Sequence, residues 1–193
     1  MKTLTSLRRL STAAVKQIKP KRVLVTGGSK GIGLGLTEVF ALKSCNVLSV
    51  DIDKKANNEL IESAININNN IECLTLDVTD SNAAKESIKF MINKWNGIDI
   101  LINNVGIEIA NDKKMHELDE EIWHKMMNVN INSFFYFSKY AVIQMLSQIN
   151  NDKNKNKKGK SSPQNDMKML DQLYAQDSVN EPQTPAVFIF RVL

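Results

Sequence analysis

The stretch Val23-Leu-Val-Thr-Gly-Gly-Ser-Lys-Gly-Ile-Gly33 decides the fold. Val23 to Val25 form a short apolar run with the length of a buried parallel strand, and a glycine-rich turn follows at once. Ile32, Leu36, Val39 and Phe40 then fall on one face at helical spacing, so a helix is expected to open inside the turn. This order places the unpaired amide N–H groups of a helix N-terminus at the end of a strand. Glycine removes the Cβ atoms that would keep an anion away from such a backbone. The turn therefore predicts a cradle for the pyrophosphate of a dinucleotide, built from Thr26, Gly27, Gly28, Ser29, Lys30, Gly31, Ile32 and Gly33. A P-loop is excluded, because no Lys followed by Ser or Thr comes after the final glycine.

Outward from this turn, strand and helix patterns alternate. Asn46 to Ile52 has strand length, residues 54 to 66 have a helical pattern, and Ile71 to Val78 gives a third strand. Ala84, Ile88, Met91, Ile92 and Trp95 mark an amphipathic helix that Asn96-Gly97 should stop. Ile98 to Asn104 supplies a fourth strand. A single long helix is expected from about Glu120 to Gln148, with Ile122, Met126, Val129, Phe137 and Ala141 near one face. Such alternation predicts an α/β fold, a doubly wound parallel sheet of the Rossmann kind, over residues 21–148. Residues 149–183 are rich in Asn and Lys, too polar to offset the cost of ordering, and are expected to be disordered apart from a weak helical segment at Met167 to Tyr174. Residues 184–193 end in Ala186-Val-Phe-Ile-Phe-Arg-Val-Leu193, apolar enough for a fifth strand.

Composition is that of a soluble globular protein: 193 residues, 42% apolar and 24% charged, which suit one domain with a real core. The net charge of +4 is local. Up to Arg22 the chain holds Lys2, Arg8, Arg9, Lys16, Lys19, Lys21 and Arg22 with no acid, and beyond them acidic residues outnumber basic ones. The basic cluster from Lys153 to Lys160 lacks interleaved aromatics, so it reads as a solvated loop and no nucleic-acid partner is expected. Cys45 and Cys73 lack the close spacing of a metal or redox motif and are expected to be buried free thiols. His116 and His124 fit no metal-ligand spacing and are expected to be exposed on or near a helix. No metal site is predicted, and no apolar run is long enough to span a bilayer. Residues 1–20 are basic, acid-free and rich in Ser and Thr, with Leu4, Leu7 and Leu10 at helical spacing. They resemble an organelle transit peptide, which implies a mitochondrial destination, although a disordered extension on a cytoplasmic protein has the same composition.

The spacing TGxxxGxG from Thr26 to Gly33 resembles that of the short-chain dehydrogenase/reductase family, and further motifs agree over about Lys21 to Gln148. Asp51 closes the second strand beside Ile52, where a carboxylate accepts hydrogen bonds from ribose hydroxyls and repels a 2′-phosphate; in the family this marks NAD over NADP. The resemblance implies that Asp77 and Val78 lie at the adenine, although Asp77 also suits a turn. It further implies that Asn104, Val105 and Gly106, preceded by Asn103, back the cofactor, with Val105 replacing the family's usual Ala. Asn130 maps onto the family's active-site Asn, although an ordinary polar helix residue fits as well. Lys30 occupies a position where the family often binds the 2′-phosphate of NADP; here it is expected to project into water. What the resemblance does not supply is the proton chemistry. The family's Ser after the fifth strand is absent, and its Tyr-xxx-Lys pair is matched by none of Tyr136, Tyr140 and Tyr174. The chain is therefore expected to be an alcohol or carbonyl oxidoreductase ending before its catalytic Tyr and Lys, with an incomplete sheet on the C-terminal side and marginal stability. It would bind NAD without turning over substrate. A catalytically silent dinucleotide-binding or regulatory protein is the alternative, and a homo-oligomer is possible for a complete chain.

Overall fold

The structure, a computed structural model, describes residues 20–64, 70–109, 114–155 and 189–191. The basic leader and the polar stretch from residue 156, with its expected helical segment at Met167 to Tyr174, lie outside the described residues. The elements alternate as β1 (Arg22–Thr26), α1 (Gly31–Leu42), β2 (Asn46–Asp51), α2 (Lys54–Ala64), β3 (Ile71–Thr75), α3 (Ser81–Trp95), β4 (Ile100–Asn103), α4 (Glu120–Met127), α5 (Ser133–Lys155) and β5 (Ile189–Arg191). The strands form one parallel sheet in the order β3-β2-β1-β4-β5. Chain direction across the sheet reverses between β1 and β4, and a crevice opens at the carboxyl ends of the strands at such a switch point.

Alternation along β1 builds two cores, because successive side chains leave opposite faces of a strand. Leu24 joins Leu48, Val50 and Leu101 under α3 and α5, where Ile88, Met91, Phe137 and Ala141 close the layer. Val23 and Val25 point the other way and pack with Val47, Ala41, Leu60 and Ile102 under α1 and α2. Burial on both faces explains why β1 reads as a continuous apolar run rather than an alternating one. α3 begins at Asp80, whose carboxylate accepts from the Asn82 amide at 2.8 Å, and stops at Asn96 in the left-handed conformation (φ 63°).

Several boundaries differ from the sequence expectation. Ile32 and Val39 of α1 are exposed, and the buried stripe is Gly33, Thr37 and Ala41, flanked by Leu36 and Phe40. Gly33 and Thr37 face inward where the helix rests on the glycine turn, Thr37 donating from its hydroxyl to the Gly28 carbonyl at 3.0 Å, and Ala41 continues the stripe into the core. β3 ends at Thr75 rather than Val78: the Leu76 amide still donates to the Asp51 carbonyl at 3.1 Å, and the chain then enters a turn at Asp77. The expected long helix is broken into α4 and α5 by a π-helical turn at Asn128–Asn132, and α5 runs on to Lys155, past the expected boundary at Gln148. A helix already packed through Phe137, Ala141 and Met145 propagates into polar sequence by adding one backbone hydrogen bond per residue. Cys45 is buried as expected, but Cys73 is only half-buried; burial is nevertheless the main reason its thiol is pushed up to about 12.

The base of the sheet, opposite the crevice, is fastened by a polar clamp. Arg22 donates from its backbone N and from Nε to Asp99 Oδ2 and from Nη2 to Oδ1, each at 2.8 Å, and from Nη1 to the Asn96 carbonyl. Gln148 of α5 holds both backbone groups of Ile98, accepting from its N–H and donating to its carbonyl at 2.8 Å each. Burial pushes the Asp99 carboxyl upward, but the hydrogen bonds from Arg22 outweigh it and leave the group below the usual carboxylate range.

Candidate functional site

At the carboxyl end of β1, Gly27 turns with φ +63° and Gly31 opens α1 with φ +52°. Gly33 allows the closest approach in the turn: a Cβ there would lie 1.9 Å from the Gly27 carbonyl oxygen and 2.5 Å from Asn104 Nδ2. The first turn of α1 thus rests directly on the glycine loop. A Cβ on Gly31 would meet nothing within 4 Å, so this side of the loop is open space in front of a helix N-terminus.

The loop is tied to β4 by Thr26 and Asn104. The Thr26 hydroxyl accepts from the Asn104 amide at 3.1 Å and the Val105 amide at 3.3 Å, and Asn104 Nδ2 donates to the carbonyls of Thr26 (3.1 Å) and Gly27 (3.0 Å). Asn104 is therefore a brace across the switch point. Its neighbour Asn103 is buried and donates to Ser138 Oγ of α5 at 3.1 Å.

Of these residues, Gly27 and Asn104 line a cleft of about 850 Å³, whereas Thr26, Gly31, Gly33 and Asn103 stand behind or beside its lining. Gly27, Asp51, Ile52, Asp77, Val78, Asn104, Val105 and Gly106, all expected from sequence, converge on it. Sequence reasoning missed Leu76, Thr79 and Ile107, and also Glu121, His124, Lys125, Asn128 and Val129 from α4 and the π turn. Asp51 Oδ1 accepts from the Asp53 amide at 3.0 Å, and its Oδ2 lies 3.4 Å from the Ser29 amide. Asp77 acts in a turn as well as lining the cleft: its Oδ1 accepts from the Thr79 amide (2.9 Å) and hydroxyl (2.8 Å).

Lys30 departs from expectation only in having a partner. Its side chain is exposed, as expected, but it is also paired with Asp53, a residue the sequence reading overlooked. The Asp53 side chain also caps α2, accepting from the Ala56 amide at 3.0 Å. The hydrogen bond between the two raises the Lys30 pKa and lowers that of Asp53. Asn57, buried in α2, donates to Thr75 Oγ1 at 3.0 Å and to the Asp51 carbonyl at 3.2 Å, fixing the end of β2 to the end of β3.

Asn130 lies within the π turn, a distortion that recurs at functional sites. Its carboxamide is engaged at both ends by one residue, accepting from the Ile107 N–H at 2.8 Å and donating to the Ile107 carbonyl at 2.9 Å. Asn130 thus fixes the segment after β4 against the helix. Tyr136 and Tyr140 of α5 are partly buried against the core, with Lys85 of α3 5.5 Å from the Tyr140 ring. Among the described residues, no group of three or more His, Cys, Asp or Glu side chains is placed to hold a metal ion, and no helix is long and apolar enough to cross a membrane.

The residues present fit a dinucleotide. The loop offers open space at a helix N-terminus, a carboxylate stands at the end of β2, and an apolar wall of Ile52, Leu76 and Val78 continues from it. Comparison with known proteins agrees with this geometry. The sequence profile described as short chain dehydrogenase matches residues 21–155, and the chain belongs to that family. It is 31% identical over 134 residues to a 3-oxoacyl-(acyl-carrier-protein) reductase of Thermotoga maritima, covering 69% of this chain and 54% of the relative. It is 30% identical over 142 residues to the short chain dehydrogenase/reductase dpmpG of Macrophomina phaseolina, covering 72% of this chain and 79% of that one. The crystal structure of gox2181 shares the fold, with a TM-score of 0.64 at 23% identity, covering 68% of this chain and 51% of the other. The chain spans about half the length of the first of these relatives.

Proposed function

We propose that this chain holds NAD(H), in preference to NADP(H), at the carboxyl ends of β1, β2 and β4, as the nucleotide-binding part of an oxidoreductase acting on an alcohol or carbonyl. The observation that carries the reading is Asp51 beside an open glycine cradle. Gly27 to Gly33 and the first amides of α1 would receive the pyrophosphate, Asp51 the adenosine ribose, Ile52 and Asp77-Val78 the adenine, and Asn104 to Gly106 the nicotinamide side. The dinucleotide would supply the hydride; what these residues contribute is orientation, exclusion of water and fixed dipoles. The 3-oxoacyl reductase relative supports the carbonyl class, not a particular substrate.

Proton transfer is the part that these 193 residues do not provide. No Tyr in the sequence is followed four positions later by Lys, and both amide atoms of Asn130 are committed to Ile107. A carboxamide is neither acid nor base near neutral pH. General acid-base assistance contributes about a hundred- to ten-thousand-fold to rate, so we infer binding without appreciable turnover by this chain alone. Thermal melts with each dinucleotide test the preference: NAD(H) should raise the Tm more than NADP(H), and Asp51→Ala should narrow the difference in affinity by about tenfold, a free energy between those of a like-charge contact in bulk water and near a protein surface. Greater protection by NADP(H) would reject it. Residues 1–20 we read as a mitochondrial leader on composition alone; a reporter fused behind them that stays diffuse in the cytosol would refute this.

A further inference from the structure

Beside Asp51, outside the lining of the cleft, Lys30 is paired with a second carboxylate, Asp53. Lys30 stands at the N-cap of α1, immediately before the open Gly31, and its ammonium group would be the natural counterion for a phosphate on the ribose. It is turned instead onto Asp53, two residues beyond Asp51. Asp53 is itself held in place, since its other carboxylate oxygen caps α2 at Ala56 and its backbone N–H donates to Asp51 Oδ1. Asp51 adds to the field that holds the lysine charged.

We propose that Asp53 is a specificity-determining residue that acts by sequestering Lys30, so that rejection of a 2′-phosphate depends on the Lys30–Asp53 pair as well as on Asp51. The proposal rests on the dinucleotide reading above. A 2′-phosphate arriving here meets Asp51 directly and finds the nearby cation already neutralised. Recruiting Lys30 would require breaking its bond to Asp53 and leaving that carboxylate close to the new negative charge. Lys30 is 65% exposed on its side chain and Asp53 33%, so the pair can open when its carboxylate is removed. Asp53 is thus a positioning residue, distinct from a simple source of negative potential, and the distinction is measurable.

The test is a double-mutant cycle on the full chain, reading Kd for NADH and NADPH by calorimetry. Asp53→Asn keeps an oxygen able to cap α2 and removes the charge that holds Lys30. It should shift the NADPH-to-NADH affinity ratio about fivefold or more toward NADPH. With Lys30→Gln already present, the same change should shift the ratio clearly less, because only the direct repulsion by Asp53 is removed and there is no cation to release. Equal shifts in the two backgrounds would mean that Asp53 acts through its charge alone and would overturn the proposal while leaving the dinucleotide reading intact. An unaltered ratio in Asp53→Asn would do the same. Failure of the unmodified chain to bind NADH would overturn both.

Discussion

At the scale of single residues, the site depends on close backbone approach and on a few side chains whose hydrogen bonds are fully committed. Gly33 is the tightest point. Any side chain there meets the Gly27 carbonyl, so Gly33→Ala should cost about 1–3 kcal/mol through displacement of α1 and should weaken dinucleotide binding together with the Tm. A melt and a binding isotherm on one preparation check this; an unchanged Tm would mean that the helix does not rest on the loop. Asn130→Ala should leave the Ile107 N–H and carbonyl unpaired, costing about 1–3 kcal/mol and accelerating amide exchange at Ile107 and its neighbours. Unaltered exchange there would show the bracing role to be wrong. Residue types at the loop were legible in sequence because glycine placement and Asp51 report backbone geometry and charge directly. The partners of Lys30 and Asn130 were not, since each pairs with a residue 23 positions away in sequence.

At the scale of elements, the short apolar run of β1 and the capped amphipathic α3, repeated as strand and helix patterns in alternation, carried enough information to set strands, helices and a parallel sheet. Two features escaped. The inward face of α1 is made of Gly33, Thr37 and Ala41, which a search for large apolar residues passes over. The π turn between α4 and α5 adds a local twist that moves Asn128 and Val129 toward the cleft; its only trace in sequence is the run Asn128-Val-Asn-Ile-Asn132 inside a helical pattern. Element docking at the base of the sheet yields a pH-dependent prediction. Asp99 is depressed in the folded chain, so its contribution is fully present above its unfolded pKa and is lost as pH falls through the folded value. Asp99→Asn should therefore destabilise the chain near neutral pH by about 3 kcal/mol, since it leaves the buried Arg22 without its counter-charge, and the gap to the unmodified chain should close under acid. Urea midpoints from pH 7 down to pH 3 give the comparison. A gap that stays constant over that range would separate the stabilisation from the ion pair.

At the scale of the whole molecule, the sheet order β3-β2-β1-β4-β5 places the reversal at the β1/β4 boundary, and Gly27 of the glycine loop, Asp51, Asp77 and Asn104 all reach one cleft as a consequence. That convergence, rather than any one motif, is what the proposed holding of a dinucleotide rests on. The same geometry packs Tyr136 and Tyr140 of α5 against the core, and neither lines the cleft, so a panel of alcohols and ketones with NAD(H) should give no turnover at ordinary enzyme rates. Turnover abolished by mutating Tyr136 or Tyr140 would show that an unexpected group supplies the proton. The most direct measurement on the central claim is a fluorescence titration of the full chain with NADH, competed with NAD and NADP. The account predicts saturation at one NADH per chain, displacement by NAD, and much weaker displacement by NADP. Absence of saturable binding, or displacement by NADP as readily as by NAD, would contradict it.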